Sequence, residues 1–283
     1  MKIIIQRTKA LGDAVMVQPV LDFLLKKNYK VTFITSRPCL EIFDGIKHDN
    51  LKIVTKTPYL KHFLRKTFSK IIRLKYEKYP QLSCQDAYAK ILKLDNFKPR
   101  KPQLKFREST LLERLNKPYV VVHTETASEL NYRKIYAVEW EKVSDYIMGQ
   151  NYSYYQIEKN ALKNEQGEEI SPLSINDLKA VIANSSLFIG NDSFPSHLAV
   201  AFNIPSIIFF GAINPNLRHP DLSNVTVMQN DCEFSGCYHN PKYFQKKGLL
   251  LYTVCPIVGS EGVPPCCVHS SNKVINEVKK ILG

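Results

Sequence analysis

One stretch constrains the fold more than any other: Leu187 to Gly211, LFIGNDSFPSHLAVAFNIPSIIFFG. Leu187-Phe188-Ile189 is a short apolar run and reads as a buried strand. Gly190-Asn191-Asp192-Ser193 is a turn. Pro195 suits the first turn of a helix, where its missing N–H costs nothing. Ser196 to Phe202 carries Leu198, Ala199 and Ala201, so one helix face can pack on a sheet. Pro205 to Phe210 is a second apolar run, stopped by Gly211. Strand, turn, short helix and strand make a βαβ unit of a parallel sheet. The turn lies at the carboxyl end of a strand and the amino end of a helix, where free backbone N–H groups attract anions such as phosphate. Ser193 and His197 are the polar side chains best placed to join them.

Similar units are expected on either side. Lys2 to Gln6 is a buried strand around Ile3-Ile4-Ile5. Arg7 to Asp13 is a loop leading into a helix over Ala14 to Lys27, whose Val17, Val20, Leu21, Leu24 and Leu25 recur at helical spacing. Strands follow at Val31–Thr35 and Leu51–Val54. Ser83 caps a helix running to Leu94. Asn96 to Leu104, with two prolines and three basic residues, reads as a linker,. A short helix at Ser109–Leu115 precedes a strand at Tyr119–His123, and a helix runs from Val138 to about Met148. Tyr152–Ile157 is a strand. Ser174 to Asp177 resembles a capping box before a helix ending at Asn184. Val225–Gln229 is the last strand, and Ser271–Leu282 a closing helix. The strand-first start has no Gly-x-Gly-x-x-Gly, which argues against a dinucleotide fingerprint.

Three motifs carry a family resemblance. The Asp192-Ser193 string, with His197, Ala199 and Pro205, resembles the donor-site motif of glycosyltransferase family 9. These are the ADP-heptose:lipopolysaccharide heptosyltransferases and their relatives. The chain departs at Phe194, where the family has Gly, and at Val200, where it often has Ala. Second, family chains begin strand, R-x-x-x-x-G-D, helix, and this chain has Arg7, Gly12 and Asp13 in register with Pro19 beyond. Gly12 is expected to make the tight turn and Asp13 to sit at the helix N-terminus; an acid there also suits the helix dipole. Third, where the family carries K-x-W-P, this chain has Lys134-Ile135-Tyr136-Ala137. The lysine and an aromatic are kept and the proline is lost.

The resemblance implies an α/β chain of the GT-B type, with two Rossmann-like domains facing a central cleft. Residues 1–116 are the expected acceptor-binding domain and 117–283 the nucleotide-sugar donor domain. It implies an inverting, metal-independent sugar transfer, with a heptose-like sugar moving from a nucleotide-sugar donor to a lipopolysaccharide-type or other glycan acceptor. Asp13 would be the general base. Lys134, Asp192, Ser193, Phe194 and His197 would bind the donor, with Arg7 and Gly12 shaping the acceptor-side loop. No cofactor or metal is expected, the donor, ADP-heptose or its like, being a substrate. The chain lacks Asp-x-Asp, the metal-holding motif of the other large glycosyltransferase fold. Two alternatives remain: a catalytically inactive sugar-nucleotide-binding relative, motivated by Phe194 and Ala137, and a basic nucleic-acid-binding protein, which lacks any recognised reader motif.

Charge adds a partner. The formal net charge is +13, and residues 1–116 hold 25 Lys+Arg against 10 Asp+Glu, whereas 117–283 hold 14 against 16. An excess confined to one half suggests an anionic partner for that half, a membrane surface or phosphorylated glycolipid, or else a lysine-rich solvated face. Residues 56–78 concentrate it, with eight Lys+Arg and one Glu. Leu60, Phe63 or Leu64, Phe68, Ile71 and Leu74 recur there at helical spacing. They predict a basic amphipathic helix that docks on anionic membrane or packs on its own domain. No apolar run approaches the ~18 residues of a membrane span, and the N-terminal run is too short for a secretory signal. The expected location is cytoplasmic, with peripheral attachment to the inner membrane face. Five of the seven cysteines lie beyond residue 231. With His239 and His269 they could bind zinc, but no pair is C-x-x-C, and reduced, partly buried thiols are the other reading.

Overall fold

Short strands build one parallel sheet in the unit Met1–Arg107 and one mainly parallel sheet in the unit Glu108–Gly283. The computed structural model describes residues 1–56, 71–126, 130–247 and 250–283.

The first unit runs β1 (Lys2–Gln6), α1 (Leu11–Val15), α2 (Gln18–Lys26), β2 (Lys30–Thr35), α3 (Arg37–Ile42), β3 (Leu51–Thr55), β4 (Ile72–Arg73) and α4 (Cys84–Leu92). The strand order is β3-β2-β1-β4, with every pairing parallel. The period of two sends Ile5 and Phe33 to one face, where Phe33 meets Phe43 edge-on at 5.2 Å,. Ile4 and Ile34 go to the other, with Val54 and Ile71. Burying side chains of this size contributes roughly 1.5–3 kcal/mol each.

The predicted helix over Ala14–Lys27 is broken into α1 and α2 at Met16-Val17. Pro19 explains the break: it has no N–H to give Val15, and it sits instead in the first turn of α2. Part of the helix expected within 56–78 is absent, because Ile72-Arg73 form β4 and pair with Ile5-Gln6 of β1. Here the tertiary demand for a strand beside β1 overrides an apolar spacing that also fits a helix. Residues 57–70 of that segment lie outside the described residues. The expected linker at 96–104 is strapped to the first unit. Gln85 Nε2 donates to Arg100 O at 2.8 Å, and Gln18 Oε1 accepts from Gln103 N at 2.8 Å. Ser109, by contrast, donates to Asp177 at 2.6 Å in the second unit, so the division falls at Arg107/Glu108, earlier than 116/117.

The second unit has a sheet of order β11-β10-β9-β5-β6-β7-β8. Its strands and helices are β5 (Tyr119–His123), α5 (Trp140–Gly149), β6 (Ser153–Glu158), β7 (Ala161–Lys163), β8 (Glu169–Pro172), α6 (Ile175–Ala183), β9 (Leu187–Asn191), α7 (Phe194–Ala201), β10 (Ser206–Phe209), α8 (Pro215–Arg218) and β11 (Val225–Met228). An antiparallel pair, β12 (Phe244–Lys247) and β13 (Leu250–Thr253), and a closing helix, α9 (Ser271–Leu282), follow. The five strands around β9 are parallel, and β7 and β8 extend the edge antiparallel. Val120, Val122, Leu187, Ile189, Ile207 and Phe209 face α5 and α9. Val200 of α7 packs against Ile208 and Phe210 on the opposite face. The predicted capping box forms before α6: Ser174 Oγ accepts from Asp177 N at 3.0 Å and Asp177 Oδ2 accepts from Ser174 N at 3.3 Å,. Strands β7, β8, β12 and β13 have no counterpart in the sequence reading, being short hairpin strands without a long apolar run. Among the described residues no helix is long and apolar enough to cross a membrane.

Candidate functional site

In the first unit Arg7 leaves β1 with its main chain pinned: Arg7 N donates to Ile34 O at 3.0 Å and Thr35 Oγ1 donates to Arg7 O at 2.7 Å. Its guanidinium holds Asp13 Oδ2 through Nη2, grips both oxygens of Glu77 at 3.0 and 3.2 Å, and donates to Leu74 O at 2.9 Å. It also lies 5.2 Å from the Tyr76 ring centroid. Burial disfavours the charge on Arg7, but Tyr88, Asp13 and Glu77 outweigh it and hold the group protonated,. Asp13 stands in the first turn of α1, buried, and its carbonyl accepts from Tyr88 Oη at 3.3 Å. Arg7 and Asp13 are thus together, as the motif implies. The tight turn is not at Gly12, which is helical; it falls on Ala10, at φ 57°. With Leu11 already in the helix, the reversal has to be made at the residue before it.

The second unit places Asp192, Ser193, Phe194 and His197 at the carboxyl end of β9 and the start of α7. Gly190 allows β9 to lie close beside β5: a Cβ there would overlap the His123 carbonyl and come within 2.9 Å of the Phe188 ring. Asn191 Nδ2 holds the loop after β5, donating to Thr124 O at 2.8 Å and Glu125 O at 2.9 Å. Ser193 is the N-cap of α7, yet its Oγ is buried without a partner, and Ser196 Oγ accepts from Ser193 N at 3.1 Å instead. Phe194 opens α7 and is not among the residues at positive φ. Its side chain is therefore tolerated where the family has Gly.

Asp192 is buried between two arginines. Its Oδ2 is 3.0 Å from Arg218 Nε and 3.5 Å from Arg133 Nη2, and Arg133 Nη2 also donates to the Asp192 carbonyl. Burial pushes the Asp192 carboxyl up, but Arg218 and Arg133 more than offset this and hold it below the usual carboxylate range,. His197 Nε2 lies 3.9 Å from Asp192 Oδ1, and its ring stacks tilted on His219 at 4.8 Å. Burial lowers the pKa of both imidazoles, that of His219 to about 4, so both are neutral at pH 7. His197 can donate a hydrogen bond but supplies no charge.

Lys134 is exposed, directly after the 3-10 turn Asn131–Arg133. Ala137 has φ 61°. Proline is locked near −65° and could not take that conformation, so the lost family proline is matched by the backbone. Arg133, Arg218 and His219 were missed in the sequence reading. Arg133 adjoins a marked lysine, and Arg218 and His219 lie between Pro215 and Pro220, but no spacing links either to Asp192.

The five cysteines of the tail form no disulfide, and Cys237, Cys255, Cys266 and Cys267 are buried. Burial pushes the Cys237 thiol up to about 12. Among the described residues no group of three or more His, Cys, Asp or Glu side chains is arranged to hold a metal ion.

Comparison with known proteins places these features. The architecture resembles the Escherichia coli iron-containing dodecameric glycosyltransferase TibC, with 16% identity, TM-score 0.75, and 99% of this chain and 76% of that one covered. It also resembles E. coli ADP-heptose lps heptosyltransferase II, with 13% identity, TM-score 0.68, and 100% and 98% covered. These likenesses define the class by fold: GT-B. Residues 86–247 match the family described as glycosyltransferase family 9 (heptosyltransferase), and the chain belongs to that family. A curated relative, lipopolysaccharide heptosyltransferase 1 of Campylobacter coli, is 28% identical over 126 residues, which is 43% of this chain and 36% of that protein. The match thus spans little more than a third of that relative's length.

Proposed function

We propose that the chain transfers a heptose-like sugar from a nucleotide-sugar donor to a lipopolysaccharide-type or other glycan acceptor, with inversion and without a metal. The observation that carries this reading is the start of α7 at the carboxyl end of β9, where Asp192, Ser193 and His197 gather beside Arg133. Ser193 and Ser196 make a capping-box arrangement there, with Ser196 Oγ accepting from Ser193 N at 3.1 Å, in a family 9 chain. A donor diphosphate would fill that position. The names of the relatives, one of them solved with ADP-D-beta-D-heptose, favour an ADP-heptose-like donor.

In this mechanism Asp13 takes the proton of the acceptor hydroxyl. The oxygen attacks the anomeric carbon opposite the diphosphate, the bond to the diphosphate breaks, and the nucleoside diphosphate leaves. Lys134 and the α7 backbone N–H groups neutralise its charge, with a hydrogen bond from neutral His197. The negative φ at Phe194 and the backbone at Ala137 favour an active enzyme over an inactive relative, since both departures fit the local conformation. The test is consumption of ADP-heptose in the presence of a truncated lipopolysaccharide. Asp13→Asn should lower turnover by roughly 10²-fold or more while donor affinity barely changes. Near-normal turnover would remove Asp13 from the mechanism.

The acceptor is proposed to be phosphorylated and membrane-borne, supported by the excess of basic residues in 1–116. Attachment through residues 56–78 belongs to the same reading. Charge reversal at Lys66, Lys70 and Arg73 should then release the protein from anionic liposomes, each basic residue contributing about 1 kcal/mol near such a surface.

A further inference from the structure

We propose that Arg133 contacts the donor diphosphate, and that Asp192 is the anchor of this arginine rather than a ligand of the donor; the proposal rests on the donor reading above. Arg133 ends a rigid turn. Asn131 Nδ2 donates to Gly262 O at 2.6 Å, and the Tyr132 side chain is fully buried. From that turn the guanidinium crosses to the end of β9, and its Nη2 donates to the carbonyl of Asp192. Asp192 immediately precedes Ser193, the N-cap of α7. The arginine is therefore fixed beside the start of α7, where Ser193 Oγ makes no close hydrogen bond.

Three observations separate Arg133 from a merely structural cation. Its Nε is buried without a partner, as that of Arg7 is, but its side chain is 24% exposed, against 7% for Arg7 and for Arg218. Next, the Asp192 carboxylate is shared: Arg218 Nε is at 3.0 Å and Arg133 Nη2 at 3.5 Å, so Arg133 is the looser partner. Finally, His197, 5% exposed and on the first turns of the same helix, also has an unpartnered Nδ1. Unmet donors on Arg133, Ser193 and His197 around one helix start suit a ligand rich in acceptor oxygens. A planar fork matches two phosphate oxygens at once, whereas Lys134 offers a point charge.

Calorimetry on the full chain with ADP, inorganic pyrophosphate and adenosine tests this. Arg133→Gln should weaken ADP and pyrophosphate by about tenfold to a hundredfold and leave adenosine unchanged. Arg133→Lys should recover part of the loss, by restoring charge without the fork. Asp192→Asn should weaken ADP in the parent and add nothing in Arg133→Gln, whereas an equal effect in both backgrounds overturns the anchoring role. Lys134→Ala in parallel gives the scale of an ordinary phosphate contact. Parental affinity for ADP and pyrophosphate in Arg133→Gln overturns the proposal. If that variant does not fold, parental affinity in Arg133→Lys does so. An unmodified chain that binds pyrophosphate through Arg133 but not ADP keeps this inference and removes the nucleotide-sugar reading. A chain that binds neither removes both.

Discussion

Each unit puts an arginine against an aspartate at the carboxyl end of a parallel strand, where a helix begins, and the two pairs are built differently. In the first unit Arg7 and Asp13 lie six residues apart across one loop, and the arginine's terminal nitrogens are taken up by Asp13, Glu77 and the Leu74 carbonyl. In the second, Asp192 draws Arg133 from 59 residues earlier in the chain and Arg218 from beyond β10. Arg133 is also the more exposed cation, at 24% against 7% for Arg7. The first arrangement fixes a carboxylate, and the second displays a cation. The same two residue types thus serve opposite ends: a base in one place, an anion site in the other.

The largest effect should come from breaking the tighter pair. Arg7→Met leaves the buried Asp13 carboxylate without its guanidinium and should cost about 3–5 kcal/mol of stability. Adding Asp13→Asn should return much of it. Arg133→Gln should cost less, under about 2 kcal/mol, because Asp192 keeps Arg218. Equal losses in urea denaturation would erase the distinction drawn here.

The histidines sharpen the contrast further. His219 is buried neutral, with its pKa down from 6.5 to about 4 by burial, and His197 is shifted the same way. The unfolded chain takes up protons below pH 6.5 that these rings refuse when folded. Their contribution is therefore present above pH 6.5 and lost as pH falls towards 4, with a loss of order 3 kcal/mol for His219. His219→Phe should flatten the fall in melting temperature between pH 6.5 and 4, and an unchanged slope would place the titration elsewhere. The smallest effect is expected at Phe194. Phe194→Gly should leave ADP affinity near the parent value and broaden the range of sugar nucleotides accepted, as a donor panel would show. If instead Phe194→Gly gains nucleotide binding from an inert parent, the inactive-relative reading stands.

The contrast also explains what could be read ahead of the structure. Arg7 and Asp13 were legible because one loop carries both. Asp192, Ser193 and His197 were legible because one βαβ unit carries all three. Arg133 and Arg218 were not, because their meeting at Asp192 is made by chain crossings that no periodicity encodes. The helix break at Met16-Val17 was legible in principle from Pro19, but the apolar spacing on either side concealed it. Ile71 and Leu74 fitted a helical stripe equally well, and only the vacant edge of β1 decides that Ile72-Arg73 is a strand. For Asp192 the motif located the residue, while the structure adds the two arginines that surround it.

Gly211, at the end of β10 with φ 52°, has no room for even a methyl group. The Tyr132 carbonyl presses on it from one side and Cys267 Sγ stands 2.9 Å from where a Cβ would be. Cys267 Sγ in turn donates to the Tyr132 carbonyl at 3.4 Å, and Tyr136 N donates to Cys267 O at 3.0 Å. The turn bearing Arg133 and Lys134 is therefore wedged between a sheet strand and the far end of the polypeptide. Synthesis must pass Cys267 before that turn gains these contacts. A truncated product ending before Pro264 would carry every motif residue and still lack the buttress that aims them.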